Sequence, residues 1–448
     1  MDHRRGRRQS SPVPSSPLGR FAGLGMMAAG IAGRGILQGA AQLGRGQLPD
    51  PSELLLTPTN ILRFTDELAR MRGPAMKLGQ LISMDAGDFL PPELALLMAR
   101  LRSDADHMPL SQLQAVLTST WGANWRSNFQ QFDLQPMAAA SIGQVHRAQL
   151  RDGRELAVKI QYPGVARSID SDVEGMVKLL GLSGLGPSKP RLSELASQAK
   201  EQLREEANYL IEASHIRKFT SLIGQSQLFN LPAVQDDLTT ATVLAMSYVP
   251  GRPIEEAARF DQDRRNKIVT RLLRLSLKEV FDFGLVQTDP NFANFRYDDD
   301  SGRVGLVDFG ATQPIDLDAV ERFRQLLRAG LNADRGALEV AALDVGLFTQ
   351  QTNSSHASLI ISMIETLFRT VLKDDLFDFG KDGVVLSLQQ RGMDLATDPS
   401  FTHVPPFDVL YLQRKFAGMY LLARRLRAQL PLRQLLEEFS CVGSGRKR

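Results

Sequence analysis

The 448 residues are 43% hydrophobic and 23% charged, an ordinary globular balance with enough chain for two or three cores. Formal net charge is +3, yet residues 1–45 hold seven Arg against one Asp, so a basic leader precedes a slightly acidic body. A single cysteine, Cys441, excludes an intramolecular disulfide framework, and six His without cysteine companions leave no readable zinc site.

Residues 1–20, rich in Arg, Ser and Pro, read as disordered. Residues 21–43 are dense in Gly and Ala, which suits either a surface-lying helix or a flexible leader. The uncharged stretch 21–33 falls short of the roughly 20 residues that a spanning helix needs, so no spanning segment is expected. With the linker that follows, 1–57 forms the leader. Residues 58–130 read as a helical extension, with Ile61, Leu62, Phe64 and Leu68, then Met76, Leu81, Ile82 and Met84, at helical spacing. This block contains Lys77-Leu78-Gly79-Gln80.

Residues 131–249 change character. Strand patterns over 145–150 and 155–161 flank an Arg151-Asp152-Gly153-Arg154 turn, a helix is expected over 192–219, and strands resume near 230–234 and 242–248. Residues 250–448 read as mainly helical. In the first of these helices, over 265–283, Ile268, Val269, Leu272, Leu273, Val280 and Phe281 mark a buried stripe that Gly284 ends.

Two short runs stand one hairpin apart: Gln287-Thr288-Asp289-Pro290-Asn291-Phe292-Ala293-Asn294 and Leu306-Val307-Asp308-Phe309-Gly310. An Asp, an Asn five residues later and an Asp within Asp-Phe-Gly is the order in which kinase-like phosphoryl-transfer sites hold metal-bound nucleotide, so the sequence implies ATP. Asn294 offers an amide oxygen and Asp308 a carboxylate, the hard ligands Mg2+ prefers, and Asp289 stands where a base meets a hydroxyl. Lys159, closing Leu156-Ala157-Val158-Lys159, is expected to place its ammonium over the phosphates. Its carboxylate partner is expected to be Glu212; Glu205, seven residues earlier and on nearly the same helix face, stands as the alternative.

Ala138, Ala139, Ala140, Ser141 and Gly143 fall where kinases carry a Gly-rich phosphate loop. Three successive alanines restrict φ, so nucleotide handling should be unusual. Met246 is expected to border the adenine, with the backbone of Ser247 and Val249 contacting the base. After Gly310 only a few residues precede a helix over 317–329, and no Ala-Pro-Glu follows. Without room for an activation segment, phosphorylation of proteins in trans is not expected.

Lys77-Leu78-Gly79-Gln80 resembles the KxGQ signature of the UbiB/AarF atypical kinase family, and Met137-Ala138-Ala139-Ala140-Ser141-Ile142-Gly143-Gln144-Val145-His146 matches that family's Ala-rich loop. The resemblance covers about residues 58–430. It implies an α+β, bilobal protein-kinase-like fold whose N-terminal helical extension covers the active-site cleft, with Lys77 and Gln80 guarding the site. It also carries over Glu206, in Glu206-Ala207-Asn208-Tyr209, as the Glu of the family's ExD motif and a gating partner for Lys77; Asn208 replaces the family Asp.

The resemblance further implies a membrane-peripheral ATPase or kinase that supports ubiquinone biosynthesis, using ATP and Mg2+. Expected partners are ATP and ADP, anionic membrane lipids, and quinone precursors or quinone-biosynthesis enzymes, with a homodimer left open. The implied location is cytoplasmic, peripheral to a bacterial inner membrane, or the mitochondrial matrix face in a eukaryote. The leader arginines and Arg446-Lys447-Arg448 would add attraction to an anionic bilayer of about 1 kcal/mol per charge near the surface. Nucleic acid is not expected, because the leader lacks interleaved aromatics. The alternatives are a nucleotide-gated scaffold or lipid chaperone with negligible turnover, and a small-molecule kinase sharing the Asp-to-Asn spacing.

Overall fold

The computed structural model describes residues 108–183, 189–381, 383–398, 400–401, 403 and 405–441. The basic leader, most of the helical extension, and Lys77 and Gln80 lie outside the described residues. The described chain divides into two compact units.

The first unit holds the described residues up to Ser214 together with Ala233–Tyr248. Helix α1 (Leu110–Trp121) buries Leu113 and Leu117. At its C-terminal end Trp121 joins Trp125, Phe129 and Phe132 in an aromatic cluster with ring separations between 5.1 Å and 6.5 Å, the range in which edge and tilted contacts are favourable. Strands β1 (Phe129–Phe132), β3 (Gly143–Leu150), β4 (Glu155–Gln161) and β6 (Val243–Ser247) pair antiparallel in the order β1-β3-β4-β6, and the short β2 (Ala138–Ala139) pairs with β3. The β3–β4 hairpin closes with Leu150 N–H donating to Arg154 O at 2.9 Å and Gly153 at φ +88°. Only glycine adopts that backbone without strain. Strand β4 is buried from Leu156 to Gln161 because it has a partner on each side.

Helices α2 (Val165–Ser183), α3 (Lys189–Glu206) and α4 (Tyr209–Ile223) follow β4 in sequence. The single helix expected over 192–219 is broken at Ala207 and Asn208. Asn208 Oδ1 accepts from Leu210 N–H at 3.2 Å, and Tyr209 N–H leaves the helical pattern to donate to Ala241 O at 3.0 Å. A short amide side chain that competes for backbone donors ends one helix and starts the next.

The second unit comprises His215–Pro232 and everything from Val249. Its sheet has the order β5 (Phe229–Asn230), β10 (Val304–Leu306), β9 (Phe295–Tyr297), β7 (Arg252–Pro253), and β8 (Leu285–Gln287) pairs separately with β11 (Thr312–Pro314). The strand expected near 230–234 is therefore only the two residues of β5, paired parallel to β10. Helix α5 (Gln262–Lys278) buries Ile268, Val269, Leu272 and Leu273, and then widens into a π-helical turn, Glu279–Phe283, ended by Gly284 at φ 60°. Helices α6 (Leu317–Leu331), α7 (Arg335–Val345), α8 (Ser354–Lys373), α9 (Val384–Thr397), α10 (Phe407–Arg425) and α11 (Leu432–Ser440) complete the unit, with β12 (Phe377–Asp378) paired to β13 (Gln429–Leu430). Among the described residues no helix is long and apolar enough to cross a membrane.

Gly143 marks the closest approach in the first unit. A Cβ there would collide with Ile160 O and lie 2.7 Å from Tyr209 Oη. Gly143→Ala should therefore lower stability by about 1–3 kcal/mol, the usual effect of overpacking a filled site. Gly383→Ala, at φ −107° with nothing within 4 Å of a new Cβ, should change stability by less than about 1 kcal/mol. Urea unfolding of the two variants checks the difference.

Candidate active site

In an antiparallel sheet, residues directly opposite one another point to the same face. Lys159 on β4 faces Val145 on β3 and Leu244 on β6, Gln161 faces Gly143, Ala157 faces Met246, and Ala138 on β2 faces Val145. Ala138, Gly143, Lys159 and Met246 are thereby placed on one face of the sheet, whereas Ala139, opposite Gln144, belongs to the other. Ala138 and Ala139 form a ladder with β3 where the sequence suggested a loop. Ala140 N–H donates back to Gly143 O at 2.9 Å, which makes the turn between them tight.

Lys159 Nζ donates to both carboxylate oxygens of Glu212, at 3.0 Å and 2.9 Å. The side chains are 8% and 4% exposed. Glu212 sits in the first turn of α4, where the helix dipole favours an anion, and the Tyr209 ring from the same turn lies 5.3 Å from Nζ. Glu205 instead ends on α3. Glu206 accepts from Ser141 Oγ at 3.2 Å, which connects the acidic end of α3 to the alanine segment. Ser247 N–H donates to Ala233 O and Tyr248 N–H to Glu155 O, so both are committed inside this unit. Ser247 Oγ accepts from Ala233 N–H at 2.9 Å.

In the second unit the loop after β8 is held at several points. Thr288 N–H and Oγ1 both donate to Ala311 O at 2.8 Å. Asn291 caps the short turn Phe292–Asn294 by accepting from Ala293 N–H. Asn294 Nδ2 donates to O and Oδ2 of Asp289, each at 3.3 Å. Val307 N–H donates to Asn294 O at 3.1 Å, joining this loop to the segment that carries Asp308. Asp308 Oδ1 accepts from Gly310 N–H at 2.9 Å, and buried Phe309 packs on Phe219 with ring centroids 5.0 Å apart. Val249 packs into this unit, with its Cγ1 2.5 Å from where a Cβ on Gly305 would lie.

The donor set suits a nucleotide-borne magnesium ion. With its amide nitrogen spent on Asp289, Asn294 keeps Oδ1 as its remaining side-chain polar atom, on a loop that Val307 N–H ties to the segment carrying Asp308. Among the described residues no cluster of three or more His, Cys, Asp or Glu could form an all-protein cation cage. One carboxylate and one amide match a metal whose other ligands are phosphate and water.

Sequence reasoning missed Arg414 and Lys415, neighbours on α10. Arg414 Nη2 lies 3.1 Å from Asp289 Oδ1, and Lys415 Nζ lies 2.9 Å from Glu279 Oε2 in the π-helical turn. One signal was available. Lys415 interrupts a buried apolar series of Val409, Leu410, Leu412, Met419 and Leu422, and a lysine in such a stripe needs a buried partner.

The fold and these residues define a protein-kinase-like protein. Residues 100–342 match the model of the ABC1 atypical kinase-like domain, and the chain belongs to that family. It is 36% identical over 434 residues to the mitochondrial atypical kinase COQ8 of Saccharomyces cerevisiae, covering 96% of this chain and 86% of that protein. Against the mitochondrial atypical kinase COQ8B of Rattus norvegicus it is 34% identical over 439 residues, covering 96% and 82%. Among solved structures, Rv3197 from Mycobacterium tuberculosis in complex with erythromycin superposes with a TM-score of 0.57 at 26% identity, over 87% of this chain and 97% of that one.

Removing one member of a buried ion pair strands the other charge. Glu212→Gln should cost about 3–5 kcal/mol of unfolding free energy. Glu205→Gln, at a half-buried position on α3, should cost clearly less than that, because solvent screens whatever charge it leaves. Denaturant titration of both variants is the check.

Proposed function

We propose that this protein is a Mg-ATP-binding atypical kinase, peripheral to a membrane, that supports ubiquinone biosynthesis and does not phosphorylate proteins in trans. The observation that carries the reading is the buried Lys159–Glu212 pair, a charged bond of high desolvation cost on the sheet face shared by Ala138, Gly143 and Met246. In this reading Lys159 takes the α- and β-phosphates, Asn294 and Asp308 take Mg2+, and Met246 borders the base. A bound magnesium ion would neutralise phosphate charge. Asp289 orients the attacking hydroxyl or water. Its two oxygens already accept from Arg414 and Asn294, so it holds a nucleophile in a fixed direction with its remaining lone pairs.

The exclusion of peptide substrates is supported by the chain after Gly310, where β11 begins at Thr312 and α6 at Leu317. Protein kinases place their activation segment at this point. The pathway and the membrane rest on the family, on mitochondrial relatives 36% and 34% identical, and on the basic leader. The bacterial alternative is the cytoplasmic side of the inner membrane. Gating by Lys77 and Gln80 with Glu206 belongs to the same proposal, as do the partners ADP, anionic lipids, quinone precursors and a second copy of the chain. A second reading, a nucleotide-gated scaffold with negligible turnover, is favoured by β2, because alanines paired in a ladder cannot drape over phosphates as a glycine loop does.

Mg-ATP should raise the unfolding temperature of the wild type by several degrees, as any ligand selective for the folded state does, and this shift should vanish in Asp308→Asn. Equal shifts in both proteins would remove the metal assignment. ATP hydrolysis with and without anionic vesicles separates the two readings: lipid-stimulated turnover supports the enzyme, and its absence supports the scaffold.

A further inference from the structure

Glu279 and Lys415 form a second buried ion pair, with side chains 3% and 2% exposed, in a place that the reaction chemistry does not explain. Glu279 opens the π-helical turn after α5, and such single-turn distortions recur at functional sites. Its Oε2 receives two donors, Lys415 Nζ at 2.9 Å and the backbone N–H of Gln287 at 3.1 Å. Gln287 is the last residue of β8, two positions before Asp289, and its Nε2 reaches Asp308 O at 3.5 Å. The carboxylate is thus bonded to the residue that opens the first run of the candidate site and whose side chain reaches the second.

Helix α10 meets the same loop along one face. Arg414 reaches Asp289, Lys415 reaches Glu279, and Gly418 lies so close to Pro290 that a Cβ at 418 would come within 2.5 Å of Pro290 Cγ. Positions 414, 415 and 418 are helical neighbours at three- and four-residue spacing. Stability alone does not account for the pair, because two buried ions are commonly replaceable by apolar residues of similar volume without loss. Burial pushes the Glu279 carboxyl above its ordinary range, and Lys415 acts against that push.

We propose that Glu279 is a positioning residue for the 287–294 loop: its Oε2, anchored by Lys415 Nζ, holds the Gln287 N–H, and the bond sets the direction in which Asp289 and Asn294 leave β8. This deepens, and rests on, the reading that the loop serves Mg-ATP.

Two double variants isolate that hydrogen bond. E279Q/K415M and E279L/K415M both remove the two charges, but only the glutamine leaves an oxygen for Gln287 N–H. In the full chain, amide hydrogen exchange at 287–289 should stay within about threefold of wild type for E279Q/K415M and accelerate about tenfold or more for E279L/K415M. In ATP turnover, E279L/K415M should lose about tenfold or more in kcat with KM within about threefold, and E279Q/K415M should keep kcat within about threefold. Thermal midpoints of the two doubles should agree within about 3 °C, whereas a merely structural role would make turnover follow the midpoint. A third variant, E279D, keeps the ion pair and withdraws the carboxylate; faster exchange at Gln287 with lower kcat supports the proposal.

Equal exchange and equal turnover in the two doubles, or wild-type values in E279D, would overturn the positioning role. A wild type that turns over no ATP would instead sink the catalytic reading, and the exchange comparison would still decide whether Glu279 positions the loop.

Discussion

The Lys159–Glu212 ion pair is the constraint around which the first unit is arranged. Both side chains are buried, and desolvating such ions costs on the order of several kcal/mol each, offset only by good geometry and further hydrogen bonds. The surroundings provide these conditions. Strand β4 has a partner on each side, which fixes the face that Lys159 presents, and the break before Tyr209 puts Glu212 in the first turn of a new helix. Gly143 lies opposite Gln161 with no room for a side chain, which lets Tyr209 approach the lysine. An apolar core would be simpler, and a cation held this way supports the proposed polyanionic ligand.

The second unit uses the same device for a different end. Its buried lysine comes from α10, far along the chain, and pairs with a glutamate that also holds a backbone N–H at the start of the 287–294 loop. Arg414, one residue before, engages Asp289, and Asn294 engages the other oxygen of that carboxylate. The loop is tied from both directions: α10 on one side, the Asp308 segment through Val307 N–H and Ala311 O on the other. Fixed dipoles and charges of this kind suit a site that stabilises developing charge without reorganising.

What could be read from the sequence follows the range of the interaction. The β3–β4 hairpin follows from the flanking strand patterns and the turn chemistry around Asp152 and Gly153, whereas the burial of Lys159 does not, because a lysine at the end of a strand is by itself more often exposed. The choice between Glu205 and Glu212 did not, because the seven-residue argument assumed one continuous helix, and Asn208 interrupts it. Two-residue strands such as β5, β7 and β12 are too short to show any period. Arg414 and Lys415 were missed because contacts across more than a hundred residues of chain have no local period. Only the misplaced charge in an apolar stripe hinted at one of them.

Titration of Mg-ATP into the wild type and into the double variant K159M/E212L, with unfolding free energy measured on the same samples, separates a ligand role for the buried pair from a purely structural one. The account predicts that the apolar pair leaves the protein as stable as the wild type or more so, while Mg-ATP affinity falls about tenfold or more. Affinity unchanged in the double variant would contradict it, and the buried pair would then be an element of the fold alone.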